Sequence, residues 1–434
     1  MFLTKKNMIY KDIHAKFFHL IPFASVVFLA IIVGTFNGIF SCVALFLSIL
    51  AIVFFPEEDS LCLLFFLMPF ANIFKFSATS QSFLTYLLLF FVLWHFFKKR
   101  SINIAFLVAF LFFVSFLLLQ MFISIDLFRT IKFVANILFV YFAINAKTSN
   151  NNRKIFLFYI LGISLSSIIA ISNTIPNLNA YIGAKDLGYE YGELARFSGL
   201  FADPNYYSTH LIASLCLIVI LDHKKQLHAI FSIVLAILLV VFAILTFSKS
   251  AFLMLLLPLA LFLYSKIKSK KYIAFCLLFL ISLILIGATL TGEIQGFETI
   301  LSRFEQGDDV SSITSGRSTI WLEYLSDLMN SYEGLFFGKG FGAPLVNEHA
   351  THNTYIDFLY YLGIFGTLLL GVLFFSLIRT KKTVSQRNIL NYSIWICISI
   401  MYFFLSELFY FDWPFHIIIA ILVFKTPIAS KHEG

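Results

Sequence analysis

The chain has 434 residues, 60% of them hydrophobic and only 12% charged, with 56 Phe and a formal net charge of +8. That much apolar surface does not fit in a soluble core, which excludes a soluble globular protein and points to an integral membrane protein. A bilayer core about 30 Å thick takes about 20 apolar residues per helix, and the runs have that length; the short alternating segments of a spanning β-barrel are absent.

In chain order, the apolar runs predict spans near 17–34, 37–55, 60–75, 82–97, 102–124, 127–146, 154–173, 206–222, 226–247, 250–265, 271–290, 354–378, 389–408 and 412–427. The expected fold class is all-α and polytopic, with about 12–14 transmembrane helices. N-terminal transmembrane helices occupy 1–173, followed by a first long loop over 174–205 and central transmembrane helices over 206–290. A large loop over 291–353 then leads into C-terminal transmembrane helices over 354–434.

Lys5, Lys6, Lys11 and Lys16 precede the first run with no small-residue cleavage site after it, so that run reads as a span rather than a removed signal. With the N-terminus inside, the loops holding Lys98-Lys99-Arg100, Lys147 with Arg153 and Lys154, Lys224-Lys225, Lys266 to Lys271 and Arg379 to Arg387 are cytoplasmic, as the positive-inside rule requires, and so is the C-terminus. Basic residues gathered in short loops exclude a nucleic-acid surface. Pro56-Glu57-Glu58-Asp59 is acidic on the same side, but acidic residues weigh little in that rule. Residues 228–265 are too many for one crossing, so Ser248-Lys249-Ser250 reads as a tight outer turn between two helices.

The loop over 291–353 contains Arg317-Ser-Thr-Ile320-Trp321-Leu-Glu-Tyr324-Leu325-Ser-Asp-Leu328-Met329, whose helical apolar spacing predicts a short amphipathic helix on the bundle or in the interface. The five cysteines, Cys42, Cys62, Cys216, Cys276 and Cys397, all lie in apolar runs and read as buried hydrophobes, without a disulfide framework or a metal site. No Walker, dinucleotide or zincin motif is present, which excludes ATP-driven, nicotinamide and metalloprotease chemistry.

On this topology the polar residues collect at the outer face. Arg196 and Asp203-Pro204-Asn205 lie in the first long loop, Lys249 in the outer turn, and Arg303 and Arg317 in the second loop. Gly338-Lys339-Gly340-Phe341-Gly342 then leads to His349, His352-Asn353, Gly363 and Gly366. A cation cluster with a histidine, facing lipid from outside, suits a polyanionic lipid-linked substrate. Thr354 and Asp357 have capping-box spacing, which puts His352 just before a helix N-terminus, where the dipole disfavours imidazolium. Arg317 falls in the first turn of its helix, where the dipole adds to its pull on phosphate.

The ordered series Arg196 to Asn205, Thr246-Phe-Ser248-Lys249, Gly316-Arg317 with Trp321, Gly338-Lys-Gly340, and His352-Asn353 with Gly363 and Gly366 resembles the motifs of the O-antigen ligase and polymerase superfamily, over about residues 190–370. The resemblance implies a GT-C-like bundle in a bacterial inner membrane, with its active site on the periplasmic face. It implies glycan transfer from an undecaprenyl-diphosphate-linked donor, without metal or cofactor. The acceptor is then a second glycan, in a polymerase of O-antigen or capsule, or the lipid A-core, in a ligase. Membrane lipid, a flippase and chain-length regulator proteins are the further partners it implies. His352 is the implied base, with Arg196, Arg317, Lys249, Arg303, Asn353 and Asn205 binding substrate. The family commonly has Arg where Lys249 stands; Lys keeps the charge and loses the bidentate fork. Related metal-dependent glycosyltransferases place acidic residues in the first outer loop, which here is only about Thr35 to Asn37.

Plainer readings stand beside these. His352 reads also as an interfacial cap, Arg196 as a partner of Glu190 or Glu193, and Lys249 as a snorkelling anchor. Arg303 and Arg317 read also as solvated loop charges, and Asp203 with Pro204 as a helix cap followed by proline. Asp126 with Arg129 reads as an ion pair or, with Lys132, as a functional group within a span; Glu407 reads as a partner for a cation. Tyr410-Phe-Asp-Trp413-Pro414 reads as an aromatic belt. A transporter of the same lipid would spread charges through its spans and show an inverted repeat, and none is visible.

Overall fold

The computed structural model describes residues 20–98, 102–148, 152–172, 175, 178–182, 197–246, 248–266, 316–379, 389–406 and 412–425. Among them every regular element is a helix. The first are α1 (Leu20–Gly34), α2 (Gly38–Phe54), α3 (Glu57–Leu67), α4 (Phe83–Lys98), α5 (Ile104–Gln120), α6 (Leu127–Ile144), α7 (Arg153–Ile171) and the short α8 (Leu178–Ile182). After them come α9 (Pro204–His223), α10 (Ala229–Leu245), α11 (Lys249–Lys266), α12 (Arg317–Met329), α13 (Tyr332–Phe337), α14 (Thr354–Arg379), α15 (Ile389–Tyr402) and α16 (Trp413–Lys425).

Four of these, α6, α7, α9 and α14, are at least 18 residues long and apolar enough to cross a membrane. Seven shorter apolar helices surround them. This is the make-up of a helical membrane protein. The expected span over 271–290, Cys276 and both termini lie outside the described residues.

α9 is the central post. Its first eighteen residues are buried but for Asn205, and it packs against α7, α10, α11 and α15. A helix apolar on every side has no face to give to solvent, so it must sit inside a bundle.

The expected span over 60–75 is not one helix. α3 stops at Leu67, a 3-10 turn over Met68–Phe70 contains Pro69, and the chain then leaves helical geometry. Proline cannot supply the amide that a continuing helix needs there. Every residue from Ser60 to Ala71 is buried, so α3 is a core helix and does not face lipid. It lies close against α7, where a Cβ on Gly162 would stand 2.5 Å from the Phe66 carbonyl oxygen. Cys42, expected inside, is exposed on α2, while Cys62, Cys216 and Cys397 are buried.

The loops sort into two ends. At one, Lys154 Nζ pairs with Asp59 at 2.5 Å and the Glu57 carboxylate accepts from the Lys147 amide at 2.7 Å. Lys224 Nζ also donates there to the Val423 carbonyl at 3.2 Å. The acidic Pro56–Asp59 run therefore meets the basic loops beside it. At the opposite end, Asn72 Nδ2 donates to Leu200 O at 2.9 Å, Tyr181 Oη to Thr35 O at 3.0 Å, and Tyr206 Oη to Ser406 O at 2.7 Å. The candidate site lies at this end.

α14 is broken at Gly363, which has φ 64° and ψ −174°. The break leaves carbonyls without helical donors, and the glycine turn over 338–342 fills the gap. Lys339 N donates to Tyr360 O at 2.8 Å and Gly340 N to Tyr361 O at 3.1 Å. Gln120 Nε2 adds a bond to Tyr361 O at 2.8 Å, and Arg129 Nη1 holds Phe341 O at 3.1 Å. A Cβ on Gly363 would stand 2.3 Å from Gly338 N, so two backbones touch where only hydrogen fits. Non-helical backbone inside a bundle persists where its polar groups are satisfied in this way.

Candidate functional site

The site is assembled on α12 and on the chain that leads into α14. Gly316 turns the backbone with φ 80°, and α12 starts at Arg317 and ends at Met329, the bounds expected from its periodicity. Its inner face is pinned by buried Tyr324 and Leu328. Tyr324 Oη donates to His349 O at 2.6 Å and accepts from Val346 N at 3.2 Å; Trp321 Nε1 donates to Thr351 O at 2.8 Å. α12 therefore acts as a strap over residues 346–351.

The next residue is His352, at φ 50°. A left-handed conformation is costly for a side chain of this size and persists only where its neighbours are tied down. They are: Thr351 Oγ1 donates to buried Asp357 Oδ1 at 2.6 Å and accepts from Asn353 N at 3.1 Å. The Ser406 hydroxyl lies 2.7 Å from the same threonine.

Asn353 caps α14, its Oδ1 accepting from Tyr355 N at 3.0 Å and Ile356 N at 3.2 Å. This replaces the Thr354–Asp357 capping box. The Thr354 hydroxyl is drawn across to Leu405 O at 2.5 Å, and Asp357 is taken by Thr351. Asn353 thus serves His352 by fixing the backbone after it.

Arg317 is largely buried and donates Nη1 to Phe404 O at 2.9 Å. Burial lowers its pKa from the usual value, opposed by the charge of Asp203 and by Tyr206. The His352 imidazole is half-buried and is likewise held below its ordinary range. Burial is the largest cause and the Arg317 cation the next, with Asp203 opposing and His349 adding to the depression. Arg317, Asp203 and His349 are therefore each within electrostatic reach of His352, and Asp203 within reach of Arg317. The histidine thus lies in surroundings that disfavour its charged form, through burial first and the Arg317 cation second.

Asp203 caps α9 by accepting from Asn205 N at 2.6 Å, with Pro204 in the first turn. It is both the expected cap and the anion of the site. Asn205 Oδ1 accepts from Ser248 Oγ at 2.7 Å, so its side chain fastens α9 to the turn between α10 and α11. α10 ends at Leu245 and α11 starts at Lys249, so two helices replace one long span as expected, but Lys249 and Ser250 of the expected turn Ser248-Lys249-Ser250 belong to α11. The Lys249 side chain, Arg196, Arg303, Glu407, Tyr410 and Phe411 lie outside the described residues.

Asp126 and Arg129 resolve as an ion pair of 3.2 Å, with Asp126 also capping α6 by accepting from Arg129 N at 2.9 Å. The Asp412–Trp413 turn is not an aromatic belt. Both residues are buried, Trp413 beside Phe133 and Phe374, and Asp412 3.2 Å from His210. A belt residue needs an interface, and these two are enclosed by neighbouring helices. Sequence reasoning missed Thr351 and Tyr206, which both reach the distant Ser406, and gave Asp357 a capping role in place of its bond to Thr351. Comparison of the chain with protein-family models, curated proteins and solved structures returns no match.

Proposed function

We propose that this protein is a membrane glycosyltransferase that joins undecaprenyl-diphosphate-linked oligosaccharide units into O-antigen or capsular polysaccharide, on a GT-C-type bundle with the site facing the periplasm. The observation that carries this reading is a backbone-strained His352 whose charged form is disfavoured by burial and by Arg317 within electrostatic reach. In the transfer, the bond from the anomeric carbon to the diphosphate oxygen breaks and a bond to an acceptor hydroxyl oxygen forms. Undecaprenyl diphosphate leaves with its negative charge facing Arg317, whose contact to a neutral carbonyl leaves its own charge available to stabilise that oxygen. The acceptor hydroxyl loses its proton to His352, whose pKa is lowered by burial and, next, by the adjacent cation. Asp203 limits how far that depression goes.

An apolar cavity of about 250 Å³ starts at Thr354 and Tyr355, directly after the Asn353 cap, and continues between Phe374, Trp395 and Ile421. It supports the reading by offering space for an isoprenoid chain whose headgroup lies at His352. Reaction with a lipid A-core acceptor uses the same donor groups, and deletion of the gene separates the two: single capped units on the surface mark a polymerase, whereas free polymer without its anchor marks a ligase.

A proton-coupled carrier is the second reading, favoured by the ionisable residues buried between α9 and α16. The deciding experiment supplies lipid-linked repeat units to purified protein in nanodiscs. Chain growth there, lost with His352→Ala, supports the enzyme. Growth unchanged by His352→Ala overturns the base assignment, and lipid translocation by proteoliposomes without chain growth supports the carrier.

A further inference from the structure

A second set of titratable groups lies deeper in the bundle, and the glycosyl transfer has no use for it. His210 in the second turn of α9, Asp412 just before α16 and His416 in its first turn are 0%, 2% and 0% exposed. His210 Nε2 stands 3.2 Å from Asp412 Oδ2, and His210 Nδ1 stands 3.1 Å from His416 Nε2 and 2.8 Å from Tyr159 Oη. His416 Nδ1 in turn faces Tyr402 Oη at 3.4 Å. Four helices, α7, α9, α15 and α16, meet in this series.

The hydrogen-bonding capacities allow two states. A carboxylate only accepts, so His210 carries a proton on Nε2. In the first state both rings are neutral, and the protons of Tyr402, His416 and His210 all point along the series towards Asp412. His210 Nδ1 then offers one lone pair to two donors, Tyr159 and His416. In the second state a proton is added at His210 Nδ1. The imidazolium donates to Asp412 from one side and to Tyr159 Oη or His416 Nε2 from the other. If His416 is the acceptor, its own proton moves to Nδ1, and Tyr402 Oη, 3.5 Å from Trp413 O, turns its hydrogen to that carbonyl. Each state satisfies the rings, and the two differ by a single proton.

Two further observations support exchange. Asp412 Oδ1 is buried with no hydrogen-bond partner among the described residues, so the carboxylate has capacity in reserve. Lys132 of α6 lies within electrostatic reach of Asp412. At the other end, Tyr402 lines the apolar cavity together with Trp413 and Thr354.

We propose that Asp412, His210, His416 and Tyr402 form a buried proton-binding site that takes up one proton per chain and exchanges it by way of Tyr402 Oη and the adjoining cavity. The ligand is the proton itself, donated by solvent or by a buffer acid and held on His210 Nδ1; no other bond is made or broken. Uptake turns the α9–α16 contact into an imidazolium–carboxylate bond, which is shorter and stronger than its neutral counterpart, so acidification draws these helices together. Asp412 favours uptake, while Tyr159 and Tyr402 remain neutral and reverse their donor roles.

The test uses full-length protein in nanodiscs with ring-¹⁵N histidine and ¹³C-labelled aspartate. His210→Gln, His416→Gln and Tyr402→Phe assign the buried signals, the last by loss of one hydroxyl when the histidine variants do not fold. Between about pH 8 and about pH 5, one ring of the pair is expected to become imidazolium while Asp412 stays ionised. Asp412→Asn abolishes that uptake, and Tyr402→Phe slows proton exchange at the rings while leaving the extent of uptake unchanged. The proposal is overturned if neither ring gains a proton in that range, or if Asp412→Asn takes up a proton as the parent does.

Discussion

Two polar regions lie within two turns of each other along α9, and they are built in opposite ways. At the start of α9, Arg317 is held by the Phe404 carbonyl, a neutral group, and forms no ion pair among the described residues. His352, within its electrostatic reach, is held by its backbone neighbours and stays only partly buried. In the second turn, all four ring nitrogens of His210 and His416 face a partner within 3.4 Å. A cation anchored on a neutral oxygen keeps its field for an incoming anion, whereas rings saturated by one another have no nitrogen left for a substrate and can only relay protons along their series. Position next to lipid does not separate the two regions; spare bonding capacity does.

The strongest way to break this comparison is to remove the ring that has spare capacity. His352→Ala is expected to lower chain growth by about 10²–10⁴-fold while the melting temperature stays near that of the parent, because the loop is held by Thr351 and Asn353. Equal losses of activity and folding yield would instead make His352 a structural residue. The converse change falls on the saturated region. Asp412→Ala leaves buried imidazoles without their acceptor and is expected to cost about 3–5 kcal/mol, read as loss of folded protein in thermal unfolding.

The brace below the site gives a smaller effect. Gly363→Ala is expected to destabilise the protein by about 1–3 kcal/mol, since the position has φ 64° and the new Cβ meets Gly338 N. Asn353→Ala removes two bonds to helix amides and should cost about 1 kcal/mol, with a loss of activity larger than its loss of stability if the cap also orients His352.

The mildest changes sharpen the electrostatics, and their signs differ. A base works in its unprotonated form, so activity falls as pH drops through the lowered pKa of His352. Arg317→Gln removes a cause of that lowering, so the acid limb of kcat/KM moves to higher pH, in addition to the loss of diphosphate binding. Asp203→Asn removes the opposing carboxylate, so the limb moves to lower pH. Asn caps a helix about as well as Asp, so α9 is unaffected. Shifts in the same direction for both variants would refute the assignment of charges around His352.

How legible each part was follows from how far apart its determinants lie. The helix over 317–329, the existence of a break between α10 and α11 and the Asp203 cap were readable because periodicity, run length and capping chemistry act within a few residues. The Asp126–Arg129 alternative was readable as a pair but not resolvable, because both outcomes share one spacing. The end of α3 before Pro69, the exposure of Cys42 and the Asn353 cap were misread. Each depended on which of several locally allowed partners the surrounding bundle supplied.

Composition and run length by themselves determined that the chain is a helical membrane protein and roughly where its helices run, because burying backbone polar groups in hydrocarbon leaves few other choices. Only the tertiary structure decided that Arg317 stands by His352 and that the glycine turn braces a broken α14. It alone also brought His210 to Asp412, 202 residues away in sequence. Those pairings are set by how helices pack, and nothing in a local stretch of sequence encodes which distant side chain will fill the remaining space.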